Sequence, residues 1–223
     1  MPQFRKAYIA LAAAVAIALA TASLLSATLS PAVAQTVAFA QLPAQEQAVL
    51  KGGEATVVGT DGQFTGRVLI DAPVDNAWQV VTDYNNFDQF LPNTEASRLL
   101  ESGGDRRVFE QINVVQVFLI TRRSRIVVEA TLSYPDQINF SLVEGDLEAL
   151  EGTWRFETVP SQTHGAADRV LITHQVTVSP KGGNAIRGLF FNTYRNVLEE
   201  TLVAIKQESE GRSSATASQR DRS

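Results

Sequence analysis

The residue best placed to do chemistry is His174. It falls in phase with Val170, Ile172, Val176 and Val178, and alternates with Leu171, Thr173, Gln175 and Thr177. Residues two apart on a strand share a face, so one apolar face would carry a single imidazole. That group could anchor a ligand carbonyl or hydroxyl, or act as a general base. As an ordinary core histidine it would instead find its partners among its neighbours. The other histidine, His164, lies in the turn-like SQTHGAAD and reads as exposed. Two histidines without cysteines or a tight acidic cluster do not match metal-ligand spacing, so no metal is expected. Gly-x-Ser-x-Gly is absent, and Gly182-Gly183 lacks the spacing of a phosphate loop. With no cysteine in the chain, thiol catalysis and disulfides are excluded. No cofactor is called for.

The chain offers aromatic surface instead. Trp78, Phe87 and Phe90 come from one short stretch, and Phe140, Trp154 and Phe156 from a middle stretch of alternating pattern. Phe190, Tyr194 and Leu198 come from a long stretch near the end. With His174 these are the candidate lining of a cavity for a hydrophobic ligand, and each could equally be core packing. An apolar cavity with few polar groups suits binding better than hydrolysis or group transfer.

The elements that must position these residues follow from periodicity. ATVVGT and TGRVLID flank Asp61-Gly62, a strong hairpin signal. Pro73 then suits a first helical turn, and Val74, Ala77, Trp78, Val81 and Tyr84 recur at helical spacing. Asn85-Asn86 breaks that helix. Phe87, Phe90 and Leu91 form a second short apolar face, stopped by Pro92. From Ser97 the period becomes two, as in half-buried antiparallel strands. The run from Arg107 to Tyr134 is too long for one strand, and Thr121 to Ser124 is the expected turn. After Gly182-Gly183 the period is helical again, from about Ala185 to Glu208, with Leu189, Phe190, Tyr194, Val197, Leu198, Leu202 and Ile205 on one face. About six antiparallel strands then have one element long enough to cover them, the C-terminal helix.

The ends differ from the middle. Arg5 and Lys6 precede a nearly continuous apolar run from Ala7 to Leu25, and Ala-x-Ala sites end at Ala34 and Ala40. This is the pattern of a secretory signal peptide over 1–34, with cleavage at 40 as the variant site. It implies export to a periplasmic or external space; an uncleaved membrane anchor is the alternative. Residues 35–53 read as a linker with a short helix, and 54–210 as one domain. Residues 211–223, GRSSATASQRDRS, hold no large apolar group and are expected to be disordered. The formal charge is −5, and loss of Arg5 and Lys6 makes it more negative, which argues against a nucleic-acid partner. Arg122, Arg123 and Arg125 form a basic cluster in this acidic chain. It could touch anionic lipid headgroups transiently at a membrane surface, or be a solvated strand end.

Several of these residues carry a family likeness. They are Ile70-Asp71-Ala72-Pro73 with Ala77-Trp78, Asp83-Tyr84, Phe90-Leu91-Pro92, Glu151-Gly152-Thr153-Trp154, and Val178-Ser179-Pro180 before the long helix. In this order and spacing the chain resembles the START-like (SRPBCC) superfamily over roughly Glu54 to Glu208, nearest the polyketide cyclase/dehydrase and coenzyme Q-binding protein group. The resemblance implies an α+β helix-grip fold. A curved seven-stranded antiparallel sheet would wrap around the C-terminal helix, with two short helices after the first strand and a cavity for a hydrophobic molecule. Two functions follow as expectations: an exported binding protein for a lipid, isoprenoid or quinone, more in keeping with a non-enzyme, or a cyclase/dehydratase acting on a polyketide-like substrate.

Overall fold

The structure, a computed structural model, describes residues 38–117, 120–161, 168–182 and 184–220. The expected leader and His164 lie outside the described residues. Eight strands form one antiparallel sheet: β1 (Thr56–Thr60), β2 (Gln63–Ile70), β3 (Thr94–Gly103), β4 (Arg106–Val117), β5 (Ile120–Ser133), β6 (Gln137–Gly145), β7 (Leu147–Val159) and β8 (Arg169–Pro180). Their order is β1-β2-β8-β7-β6-β5-β4-β3. The sheet has one strand more than the seven expected. The long apolar run does divide, but before Ile120, and Thr121 to Ser124 are paired inside β5 opposite Gln116 to Asn113. Alternation continues unbroken through those residues because Arg122 and Ser124 keep the strand's inward phase.

Four helices accompany the sheet: α1 (Ala44–Lys51), α2 (Val74–Val81), α3 (Phe87–Phe90) and α4 (Asn184–Arg220). The concave face is covered by α4 and closed at one end by α2 and α3. Val68, Ile70, Val170, Ile172, Val176 and Val178 point into this main core together with Leu198, Leu202 and Ile205 of α4. The alternate residues Leu69 and Leu171 point to the opposite face, where Phe39, Leu42 and Leu50 bury them. The segment expected to be a linker is therefore packed from Phe39 onward. The Phe39 backbone N–H donates to Glu157 Oε1 at 3.0 Å, and Glu46 Oε1 accepts from Thr56 Oγ1 and Arg67 Nη1 at 3.0 and 2.8 Å.

The end of α4 also departs from expectation. Where disorder was expected from Gly211, the chain stays helical to Arg220, and α4's 37 residues make it about 55 Å long. Polar side chains hold this part locally. Ser214, Thr216 and Ser218 donate to carbonyls four residues earlier, an option open to short hydroxyl side chains within a helix. Arg212 donates to Glu208 Oε1 and Asp83 Oδ2 at 2.7 and 2.8 Å and lies 5.7 Å from the centroid of the Phe90 ring.

One glycine sets how closely α4 approaches the sheet. A Cβ at Gly66 would lie 2.6 Å from Leu202 Cδ1. The backbone of α4 comes nearest the sheet at β1 and β2. Farther along the curved sheet, toward β4 to β7, helix and strands part.

Candidate functional site

The gap left there is a cavity of about 740 Å³, within the range of small-molecule sites. Its depth is apolar: Ile126, Val128 and Ala130 of β5 and Ile138 of β6 face Val197 and Leu198 of α4. Strand alternation puts the β5 residues on one face, and the helical repeat supplies the opposing wall.

At the centre of the sheet wall stands a ring stack. The His174 ring lies 3.7 Å from Trp154 and 5.4 Å from Phe140, centroid to centroid and nearly parallel to both. His174 and Trp154 are directly paired across β8 and β7, whereas Phe140 sits one strand farther away on β6. It reaches the imidazole because the residue between them is Gly152, where a Cβ would lie 2.8 Å from Phe140 Cζ and 2.0 Å from the Gln175 carbonyl oxygen. His174 is 4% exposed. Burial pushes its pKa down to about 3, against the opposing pull of a backbone hydrogen bond at Thr153, so the ring is neutral near pH 7. Its Nδ1 has no hydrogen-bond partner among the described residues.

A second aromatic group closes the α2–α3 end. Tyr84 stacks on Phe109 at 4.3 Å, and Phe87 meets both edge-on at 5.5 and 5.9 Å. The Tyr84 hydroxyl is buried without a partner. Burial raises its pKa well above the usual phenol value, with the charge of Arg107 opposing.

Seven of the ten candidate residues meet in this lining: Phe87, Phe140, Trp154, His174, Phe190, Tyr194 and Leu198. Trp78, Phe156 and Phe90 do not. Trp78 packs on Phe156 at 5.1 Å and on Tyr134 at 5.3 Å, fastening α2 to the sheet. Phe90 meets the edge of Phe87 and lies beneath Arg212, outside the lining. Tyr84 and Phe109, outside the ten candidates, also line the cavity. Their signal was available, since Tyr84 continues the apolar face of α2 and Phe109 shares a strand face with Gln111 and Asn113.

The mouth is polar. Thr94, Gln111 and Asn113 form a small network, with Gln111 Nε2 donating to Thr94 Oγ1 and Asn113 Oδ1 at 2.9 Å each. Ser124, paired with Asn113 across β4 and β5, is also in the lining. Arg122, Arg123, Asp146, Lys181 and the exposed Leu189 stand at the rim. The expected arginine cluster is thereby divided. Arg125 donates to Glu110 at 2.5 Å and to Glu144 at 2.8 Å. With Arg98 it holds the Glu110 carboxyl below the usual carboxylate range through hydrogen bonds. Arg123 donates from Nε to Glu95 at 2.8 Å. Arg122 has no such partner among the described residues.

The fold is shared with solved structures at low identity. A STAR-related lipid transfer protein from Xanthomonas axonopodis is similar with a TM-score of 0.55 and 23% identity, over 70% of this chain and 92% of that one. The Zhui aromatase/cyclase from a Streptomyces species gives a TM-score of 0.53 and 19% identity, over 71% and 95%. A Thermus thermophilus protein gives 0.54 and 21%, over 69% and 98%. Comparison with curated protein sequences finds no match. At these identities the likeness shows the helix-grip fold. The family model described as polyketide cyclase / dehydrase and lipid transport matches residues 70–202, from the end of β2 to the middle of α4, and the chain belongs to that family.

Proposed function

We propose that the protein binds a hydrophobic small molecule, of the lipid, isoprenoid or quinone kind, between the sheet and α4, and carries it without transforming it. The observation that carries this reading is the cavity itself: about 740 Å³ lined mainly by hydrocarbon, with its one deep ionisable base held neutral. A cyclase or dehydratase would need an acid and a base facing the substrate. With a pKa near 3, His174 is a weak base. The one carboxylate among the described lining residues is Asp146 at the rim, where its Oδ2 accepts the Arg125 backbone N–H at 2.7 Å.

The reading includes export. Phe39 is buried against Leu69 and Leu171, so cleavage after Ala40 would cut a core residue from the domain, whereas cleavage after Ala34 leaves it in place. N-terminal sequencing of the mature protein is expected to begin at Gln35, and an intact Met1 on a cytosolic species overturns export. Exposed Leu189, Lys181 and Arg122 at the rim suit brief contact with an anionic lipid surface during loading.

Native mass spectrometry of the full chain, followed by solvent extraction, tests the binding reading. A co-purified apolar molecule is expected, or failing that, uptake of phenylnaphthylamine with rising fluorescence. Neither mass gain nor fluorophore uptake would overturn it.

A further inference from the structure

The cavity is not uniformly apolar, and its gradient has a direction. Moving outward along β5, the inward-facing positions read Ala130, Val128, Ile126, Ser124, Arg122. Every one of them lines the cavity. The neighbouring strand repeats the trend, with Phe109, then Gln111, then Asn113, and Thr94 of β3 lies beside Asn113. Two or three strands therefore change from hydrocarbon to hydrogen-bonding groups at the same level, and the series ends in a guanidinium.

That guanidinium differs from its neighbours. Arg98, Arg106, Arg123 and Arg125 all hold carboxylates. Arg122 holds none among the described residues, although it belongs to an acidic protein of net charge −5, in which most described arginines find a carboxylate nearby. Lys181 at the same rim donates to the Gly145 carbonyl at 2.6 Å and pairs with no carboxylate among the described residues. Asp146 is the one acidic side chain in the lining, and one of its oxygens is engaged with the Arg125 backbone. Guanidinium groups bind carboxylate and phosphate oxygens in pairs through a planar fork. We propose that the mouth is a headgroup subsite. The preferred ligand is an amphiphile whose tail lies against Ile126, Val128 and Leu198. Its anionic head, a carboxylate or a phosphate, binds Arg122 with Lys181 close by and Asn113 and Ser124 as hydrogen-bond donors. This rests on the reading of the cavity as a hydrophobic-ligand site and adds the charge of the ligand's polar end.

The test compares chain-matched probes on the full-length mature protein by isothermal titration: hexadecanol, hexadecanoate and hexadecyl phosphate. At least one anionic probe is expected to bind about tenfold or more tightly than hexadecanol, and whichever anion binds tighter identifies the head chemistry. Arg122→Gln should remove that preference while leaving the hexadecanol Kd within about twofold. Arg122→Lys should restore part of it. Arg106→Gln, which lies outside the lining and whose charge is already matched by Glu101 and Glu129, should leave the preference intact. Equal binding of hexadecanol and both anions by the unaltered protein overturns the headgroup subsite while keeping the hydrophobic site. So does a preference that survives Arg122→Gln. If none of the three probes binds, the hydrophobic-ligand reading fails and the subsite fails with it.

Discussion

Over β1 and β2, α4 lies directly on the sheet; over β4 to β7 it stands away from it. Both regions are walled by strands with inward-facing apolar residues, and both face the same helix. In the closed region, Gly66 lets Leu202 come down onto the strand, and Phe64 stacks on Tyr194 at 5.8 Å, so the interior is filled. In the open region, aromatic rings stack along the wall rather than across the gap, and His174 Nδ1 and the Tyr84 hydroxyl lack partners among the described residues. A packed interior rarely leaves such atoms unmet. The contrast shows that apolar surface alone does not make a core. The distance between helix and sheet decides whether that surface is core or cavity, and a single absent side chain at Gly66 sets that distance.

The contrast can be broken from either side, and the closed side should respond most. Leu202 is fully buried. Leu202→Ala is expected to cost about 2–5 kcal/mol in urea unfolding, and a loss below about 1 kcal/mol would mean the closed side is not packed as described.

A pH experiment sharpens the open side. The folded pKa of His174, about 3, lies below the unfolded value near 6.5. Between those values the unfolded chain carries the extra proton, so stability rises with pH and is lost as pH falls below about 6.5, by up to about 1.4 kcal/mol per unit. His174→Phe keeps the ring stack and removes the titration. Its unfolding free energy should therefore fall less between pH 7 and pH 5 than that of the unaltered protein. Parallel pH profiles would show that His174 is not held neutral by burial.

The smallest stability effect should come from filling the cavity. Ala130→Leu projects into open volume and is expected to change stability by under about 1 kcal/mol while weakening phenylnaphthylamine uptake about tenfold. Gly66→Ala, a smaller change, meets Leu202 and should cost about 1–3 kcal/mol. If the two costs were reversed, the assignment of filled and hollow sides would be wrong.

Much of this architecture was legible in the chain. The Asp61-Gly62 hairpin, the alternating strands and the α4 face follow from local periods that burial then satisfies. What could not be read was any feature set by approach between distant elements. Trp78 and Phe156 have the same pattern as true lining residues, but they pack on each other because α2 meets β7. Phe140 reaches His174 only because Gly152 lies between them. The end of α4 lacks large apolar residues and so resembles a tail; its hold on the body is a contact between Arg212 and Asp83, 129 residues apart. In the site, His174 and the helix aromatics were visible from phase. The proposed distinction of Arg122 from Arg123 and Arg125 was not, because its lack of a carboxylate among the described residues becomes apparent only when its neighbours' partners are located.

Arg212 gives α4 two offices at once. Its middle turns, through Tyr194 and Leu198, form a wall of the cavity, and its far turns hold the α2–α3 end by ion pairing with Asp83 and resting on Phe90. Asn93 adds a second tie to Glu200 at 3.1 Å. Wall and closure are thus joined through one helix, and a shift of the helix reaches both. Under thermodynamic linkage, a guest that favours the shut arrangement must be held more tightly by it in the same proportion. Any such preference would be read at two places along one helix, at the cavity wall and at the Arg212–Asp83 contact.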